Sequence, residues 1–308
     1  MFNLTCISNE LKDQGIGFKS MSWKRFDQLK RADRHYALYE LGSRWLNNVI
    51  VTKLHIAHCI ENKWGYRVSS SLFPCLTHPE SDFTIEDLPQ YLLIKQQLDS
   101  CKNLLSLFDI RISTHPDQFN VLASDNQAAV NETIKELNVH GWLLDQLGCN
   151  CDHSAPINIH VNRTKGSLDQ ISDLFLANLD KCDDSVKNRL VVENEDRGCW
   201  TVNALYNSFY VKGNLPLTFD NLHFKCNPDS DLTETQAMAK SAETWRTTKP
   251  LFHYSESHPD KPNIRSHADM PTGHPLSDEF DWDIELKAKD AAVRKCLFKF
   301  HNAATVAA

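Results

Sequence analysis

Short apolar runs in this chain end again and again in histidine or a carboxylate. Ile112-Ser113-Thr114-His115, Ile157-Asn158-Ile159-His160, Leu190-Val191-Val192-Glu193, Leu217-Thr218-Phe219-Asp220 and Leu251-Phe252-His253 are the clearest examples. His78, His223, His267 and Glu285 lie at or just beyond similar runs. Imidazole and carboxylate together suit zinc, manganese or iron better than calcium or magnesium alone. Six histidines and three acids are more than one ion needs. They fit two or three divalent ions, some bridged by a shared carboxylate. Closely spaced ions of this kind clamp a phosphate and activate water for in-line displacement.

Each residue alone also has a plainer reading. His78 and His115 precede proline and could be loop histidines. His160 and His253 could be satisfied core histidines. Asp220 could cap a helix, with His223 a neighbouring loop residue. His267 lies in a polar stretch, and Glu285 could begin an exposed helix. Glu193 is hardest to dismiss, because an acid closing Leu-Val-Val is costly to bury without a partner. Taken jointly, a ligand-type residue at the end of nearly every run argues for one shared site. The histidines at 35, 55, 58, 140, 153, 258, 274 and 301 are assigned ordinary roles.

The elements that must position these residues alternate. Buried strands are expected at Phe2–Cys6, Tyr66–Ser69, Ile110–Thr114, Ile157–Val161, Leu190–Glu193, Leu215–Asp220, Leu251–Tyr254 and Trp282–Leu286. Between them the apolar spacing predicts helices from Tyr36 to about Ile60, then at Tyr91–Phe108, Asn126–Leu147, Leu168–Leu179, Val202–Phe209, Glu234–Trp245 and Asp290–Phe300. The segment between the first strand and Tyr36 reads as a polar insertion. Eight strands alternating with helices predict an α/β TIM (β/α)8 barrel, one domain over residues 1–308, whose strand ends share a mouth.

Composition narrows the class. A hydrophobic fraction of 41% over 308 residues supports a sizeable core, and no apolar run is long enough to span a bilayer. No leader segment is expected at the N-terminus. The ten cysteines form no C-x-x-C pair, as expected for unpaired thiols in a cytoplasmic chain. A net charge of −7 is not that of a general nucleic-acid binder. Any DNA contact would need local positive charge, for which Arg163, Lys165, Arg197 and Lys225 are candidates, or bound cations. Trp200 could stack on a base or fill the core.

The ordered motifs resemble those of the UV damage endonuclease family. They are His115-Pro116-Asp117-Gln118-Phe119, Ile157-Asn158-Ile159-His160, Val192-Glu193-Asn194-Glu195-Asp196 and Phe219-Asp220-Asn221-Leu222-His223. Leu251-Phe252-His253-Tyr254-Ser255, Arg265-Ser266-His267-Ala268-Asp269 and Ile284-Glu285-Leu286-Lys287-Ala288-Lys289-Asp290 continue the series, and Ile7-Ser8-Asn9-Glu10-Leu11 is an early match. The resemblance implies a barrel related to endonuclease IV and nicking of damaged double-stranded DNA 5′ to the lesion, leaving 3′-hydroxyl and 5′-phosphate ends. It implies His78, His115, His160, Glu193, Asp220, His223, His253, His267 and Glu285 as metal ligands. The ions would be two or three, manganese first, with zinc, magnesium or cobalt as substitutes.

The same resemblance makes Gln118 and Phe119 a lesion-probing pair and gives Cys6 the place of a second probing residue, usually tyrosine. It also puts Leu251 where the family carries a lysine, with Lys249 just upstream, which argues against a modified-lysine ligand. Glu193 is expected to bridge ions, and Asn194 and Asp269 to orient ligands. Lys287 is expected to act at the phosphate, with Lys289 a second candidate. The expected protein is a monomer without membrane association, cytoplasmic and nucleoid-associated when acting, or nuclear in a eukaryote. An abasic-site endonuclease of the endonuclease IV type and a metal-dependent sugar isomerase are the rival readings, with a non-catalytic lesion binder third.

Overall fold

In the computed structural model, residues 1–117 and 121–307 are described, with side chains to residue 302. Gln118 and Phe119 therefore lie outside the described residues. Eight parallel strands, β1 (Phe2–Thr5), β2 (Gly65–Val68), β3 (Ile112–Thr114), β4 (Ile157–Ile159), β5 (Leu190–Glu193), β6 (Leu217–Thr218), β7 (Leu251–Tyr254) and β8 (Asp281–Ile284), form one sheet in the order β6-β5-β4-β3-β2-β1-β8-β7. The seam between β6 and β7 is closed by a parallel bridge between Asp220 and His253, with the His253 amide donating to the Phe219 carbonyl at 2.9 Å. The result is the expected TIM-type barrel, and its last stitch is made by two residues of the ligand set.

Side chains alternate along each strand. Leu4, Tyr66, Ile112, Ile157, Ile159, Val192, Phe252, Trp282 and Ile284 form an apolar face that is buried against the helices. The opposite face lines the barrel interior, and it is polar near the mouth. Ser113, Asn158 and Asp283 stand two residues before His115, His160 and Glu285, and all three are buried. Asn3 donates to Asp283 at 2.8 Å, tying β1 to β8 inside the barrel. Buried polar groups need such partners, so this floor is cross-linked rather than merely tolerated.

The helices fall close to the expected spans, with instructive exceptions. The segment read as a polar insertion holds two helices, Asn9–Asp13 and Trp23–Ala32, whose N-caps Ser8 and Ser22 accept from Leu11 and Arg25. Trp23–Ala32 fully buries one residue, Phe26, so its apolar stripe is too thin for periodicity to reveal. Arg34–Asn62 then runs as one long helix, capped by Asp33. The expected Val202–Phe209 helix continues to Gly213 through a wider turn at Tyr206–Tyr210. Strand β6, expected over Leu215–Asp220, is regular only at Leu217–Thr218, with Pro216 and Phe219 still accepting from Val192 and His253 on either side. Among the described residues no helix is long and apolar enough to cross a membrane. All ten cysteines are free thiols.

One buried cation holds the end of the barrel away from the mouth. Arg189, with no exposed surface, precedes β5 and donates to the carbonyls of Asn150, Cys149 and Ser185 at 2.9–3.1 Å and to Asp145 at 2.7 Å. Arg189→Ala strands these acceptors in a cavity. We expect a loss on the order of 3–4 kcal/mol in urea unfolding. A loss below about 1 kcal/mol would contradict this role.

Candidate metal centre

Glu193, the last residue of β5, is 1% exposed, and the site is built around its carboxylate. His115 Nε2 lies 3.3 Å from Oε2, His253 Nδ1 3.2 Å and His160 Nε2 3.7 Å. On the other oxygen, His223 Nδ1 lies 3.1 Å from Oε1. Asn158, on the inward face of β4, donates a short hydrogen bond to Oε2. His253 Nδ1 is also 3.3 Å from Glu285 Oε1, just beyond the end of β8. Three triplets of ligand-type atoms result: His115, Glu193 and His253; His160, Glu193 and His223; and Asp220, His253 and Glu285.

The spacing and the loose ends fit divalent ions. Two donors each about 2.1 Å from one ion stand roughly 3.0–3.4 Å apart at octahedral to tetrahedral angles, and most of these separations fall in that range. Asp220 Oδ2, His160 Nδ1 and His253 Nδ1 are buried without a hydrogen-bond partner. Unpaired buried polar atoms are costly, and Asp220 Oδ2 and His253 Nδ1 belong to residues of one candidate ligand triplet, an arrangement compatible with a cation. Three histidines rest Nδ1 against a backbone carbonyl: His115 on Pro116 at 3.0 Å, His223 on Asn194 at 2.8 Å and His267 on Glu285 at 2.8 Å. In His115 donation from Nδ1 leaves Nε2, the atom that faces Glu193, as the ligand atom, whereas His223 turns the same Nδ1 toward both Asn194 and Glu193.

The electrostatics follow from burial and crowding. Burial alone would raise Glu193, but the surrounding imidazoles, led by His253 and His160, hold its carboxyl well below the usual range. Burial pulls His160 down to about 4. It also pulls on His253, where the carboxylates of Glu193 and Glu285 outweigh it and push the imidazole up to about 9. His223 is likewise carried well above its ordinary value, against burial, by Asp220 and Glu193. Asp220 is raised, chiefly by burial. Burial raises Glu195 to about 7.

Several supports were not visible as motifs. Arg67 on β2 reaches into the ring, where it pairs with Glu285 and lies 3.6 Å from Asp283. Its charge is the largest force acting against burial at Glu285, whose carboxyl is held far below the usual range. Asp283 also stands 3.6 Å from His253 Nε2. Asn194 and Asp220 exchange side chain–backbone bonds at 2.8 and 3.0 Å, and Asp220 caps the helix Asn221–Cys226 by accepting from the His223 amide. The period-two spacing of Asn158 before His160, and of Asp283 before Glu285, was the available signal. Arg67→Met would leave two buried carboxylates without their cation. We expect it to destabilise the chelator-treated protein by on the order of 3–5 kcal/mol in thermal or urea melts.

The other expected residues are placed as follows. His267 lies at the edge of the ring, 3.9 Å from Glu285 Oε2. His78 stacks on Trp23 with ring centroids 4.1 Å apart and accepts from the Glu80 amide, so these contacts are not with the Glu193 cluster. It lines a separate cavity of about 610 Å³ with Asp117, Glu132, Glu136 and His140. Cys6 follows β1 with φ of 65°, and its amide donates to the Arg67 carbonyl. Lys287 is exposed. Leu251 is buried, and Lys249 pairs with Asp281 at the opposite end of the barrel, so no lysine takes the vacated place on β7. Arg163 is engaged by Asp125 and the Ala123 carbonyl, and Trp200 is fully buried. Trp200 is a core residue, and Arg163 is tied into the loop rather than free at the rim.

A family profile described as UV-endonuclease UvdE matches residues 1–307. The UV DNA damage endonuclease of Bacillus velezensis is 30% identical over 291 residues, covering 89% of this chain and 86% of that protein. The crystal structure of SacUVDE superposes with a TM-score of 0.81 at 22% identity, covering 98% of each chain. Endonuclease IV from Thermus thermophilus superposes with a TM-score of 0.58 at 12% identity, over 81% of this chain and 94% of that one. At these identities the two solved structures speak to the fold alone.

Proposed function

The chain belongs to the UV-endonuclease UvdE family, and on that premise we propose that it is a metal-dependent endonuclease that cuts DNA immediately 5′ to UV-induced lesions, leaving 3′-hydroxyl and 5′-phosphate ends. The observation that carries this reading is the ring of imidazole and carboxylate donors around Glu193, at separations of 3.1–3.7 Å. A protein that only bound lesions would have no use for so many buried, mutually repelling groups.

His115, Glu193 and His253 would hold one divalent ion and His160, Glu193 and His223 a second; Asp220 and Glu285 would offer a third place, with His267 at its edge and His78 outside the ring, since the single lone pair of His253 Nδ1 serves one ion at a time. Such ions, manganese foremost, supply the charge that polarises a phosphodiester and lowers the pKa of water. The chain's own residues do the rest. Glu193 offers one oxygen to each of two ligand groups, so it sets their spacing. Asn158 fixes one of those oxygens, and Asn194 fixes Asp220. Arg67 and Asp283 hold Glu285 and His253 in place, so the ring keeps its shape while charge moves across the phosphate. Gln118 and Phe119 take the lesion-probing role: an amide can bond a base, and a ring can fill the gap left by flipped nucleotides.

The test is incision of UV-irradiated plasmid by manganese-loaded protein, with the cut mapped against the dimer. A nick on the 5′ side with a 3′-hydroxyl is expected. No incision by fully loaded protein would overturn the reading. A parallel duplex with one abasic site separates it from an endonuclease IV-type activity.

A further inference from the structure

We infer that Lys289, rather than Lys287, is the cation of this site that contacts the phosphodiester being cut; the inference rests on the endonuclease reading above. Lys289 has φ of 50°, a left-handed conformation that a side chain adopts only when its surroundings impose it. That turn swings the residue back from the start of the helix Asp290–Ala307 toward the barrel. Its Nζ donates to Thr5 Oγ1 at 3.1 Å. Thr5 closes β1 at the mouth, is fully buried, and donates in turn to the Ile284 carbonyl at 3.0 Å. The ammonium is therefore pinned to the rim between β1 and β8.

Its charged neighbours are already committed. Arg67 and Glu285 pair with each other. Asp290 accepts from Ser8, His58 and the Asn9 amide. Lys289 makes no ion pair among the described residues, and an ammonium has three donors, of which Thr5 takes one. A partly buried cation with spare donors beside a ring of metal-type ligands is arranged for an anion that arrives with the substrate. Lys287, two residues earlier, is exposed and lies beside Lys261, away from that anchor.

The experiment compares Lys289→Met, Lys289→Arg and Lys287→Met as manganese-loaded protein on a duplex with one UV dimer. It measures single-turnover rate, Kd as a function of salt, metal content and Tm. We expect Lys289→Met to slow the chemical step about 100-fold with unchanged metal content and Tm. Its slope of log Kd against log salt should shrink by about one. Lys289→Arg should recover at least tenfold of that loss, and Lys287→Met should stay within twofold of wild type. Equal effects of the two methionine variants would overturn the inference. So would a loss in Lys289→Met that tracks lost metal or a lowered Tm. If wild-type protein does not nick at all, the endonuclease reading fails instead, and that result is distinct.

Discussion

Replacing Glu193 with glutamine is expected to reduce nicking of UV-irradiated plasmid by about 10³-fold or more while leaving the fold intact. The substitution keeps the side chain's shape and removes its charge. That charge sits among four imidazoles, three of them within 3.3 Å. The rings themselves are crowded, with centroids 5.4–5.6 Å apart between His115 and His160, His115 and His253, and His160 and His223. Without a carboxylate between them, cations placed in this space would repel each other unscreened. The amide keeps one oxygen but replaces the other with an NH2 group that cannot act as a ligand, so the side chain no longer serves two ligand groups at once. The fold should survive, because the barrel's ladder and apolar face do not depend on this charge, although the metal-free variant should melt lower for want of the carboxylate that raises His253. The check is a nicking time course with manganese titration, beside circular dichroism melts. A variant that binds manganese normally and nicks within tenfold of wild type would remove Glu193 from the mechanism.

How much of this was legible from residues alone depends on the kind of signal. The strands were readable because each is a short apolar run, and the ligand at its end marked the mouth. The two early helices were read as a polar insertion: with Phe26 the one fully buried residue of Trp23–Ala32, periodicity failed there. The seam at Asp220 and His253 could not be read, since a one-residue bridge has no pattern. Arg67 was missed for a similar reason. An arginine in the middle of a strand reads as an exception until Glu285 and Asp283, more than 200 residues away, are seen beside it. Arg163 failed in the opposite sense. Its charge was legible, but its commitment to Asp125 and a loop carbonyl was not.

Stripping the site of metal should abolish nicking, and manganese should restore it. The gain in Tm on reloading should also grow as pH rises from about 6.5 to 9. The sign follows from His253. In the chelated protein its imidazole is pushed up to about 9, against roughly 6.5 when unfolded. Its contribution to stability is fully present below the unfolded value and is lost as pH rises through the folded one. A gap of that size corresponds to on the order of 3 kcal/mol, or roughly 6 °C for a chain of this length. His223, also raised, acts in the same direction.

Below that window two groups oppose each other. His160, held near 4, loses its contribution as pH falls from about 6.5. Glu195, raised to about 7, contributes below its unfolded value near 4.3 and loses that as pH rises through 7. Between about pH 6.5 and 4.5 the chelated protein should therefore lose little, whereas the alkaline arm is steep; below about 4.5 the low-lying carboxyls of Glu193 and Glu285 lose their contribution and stability falls again. Metal binding requires neutral imidazoles, so loading displaces the protons that held His253 and His223 charged and becomes stronger as pH rises. Melts of chelated and reloaded protein at pH 6.5, 7.5 and 9 read this directly. A gap that stays constant or narrows would mean that these histidines do not hold the ions.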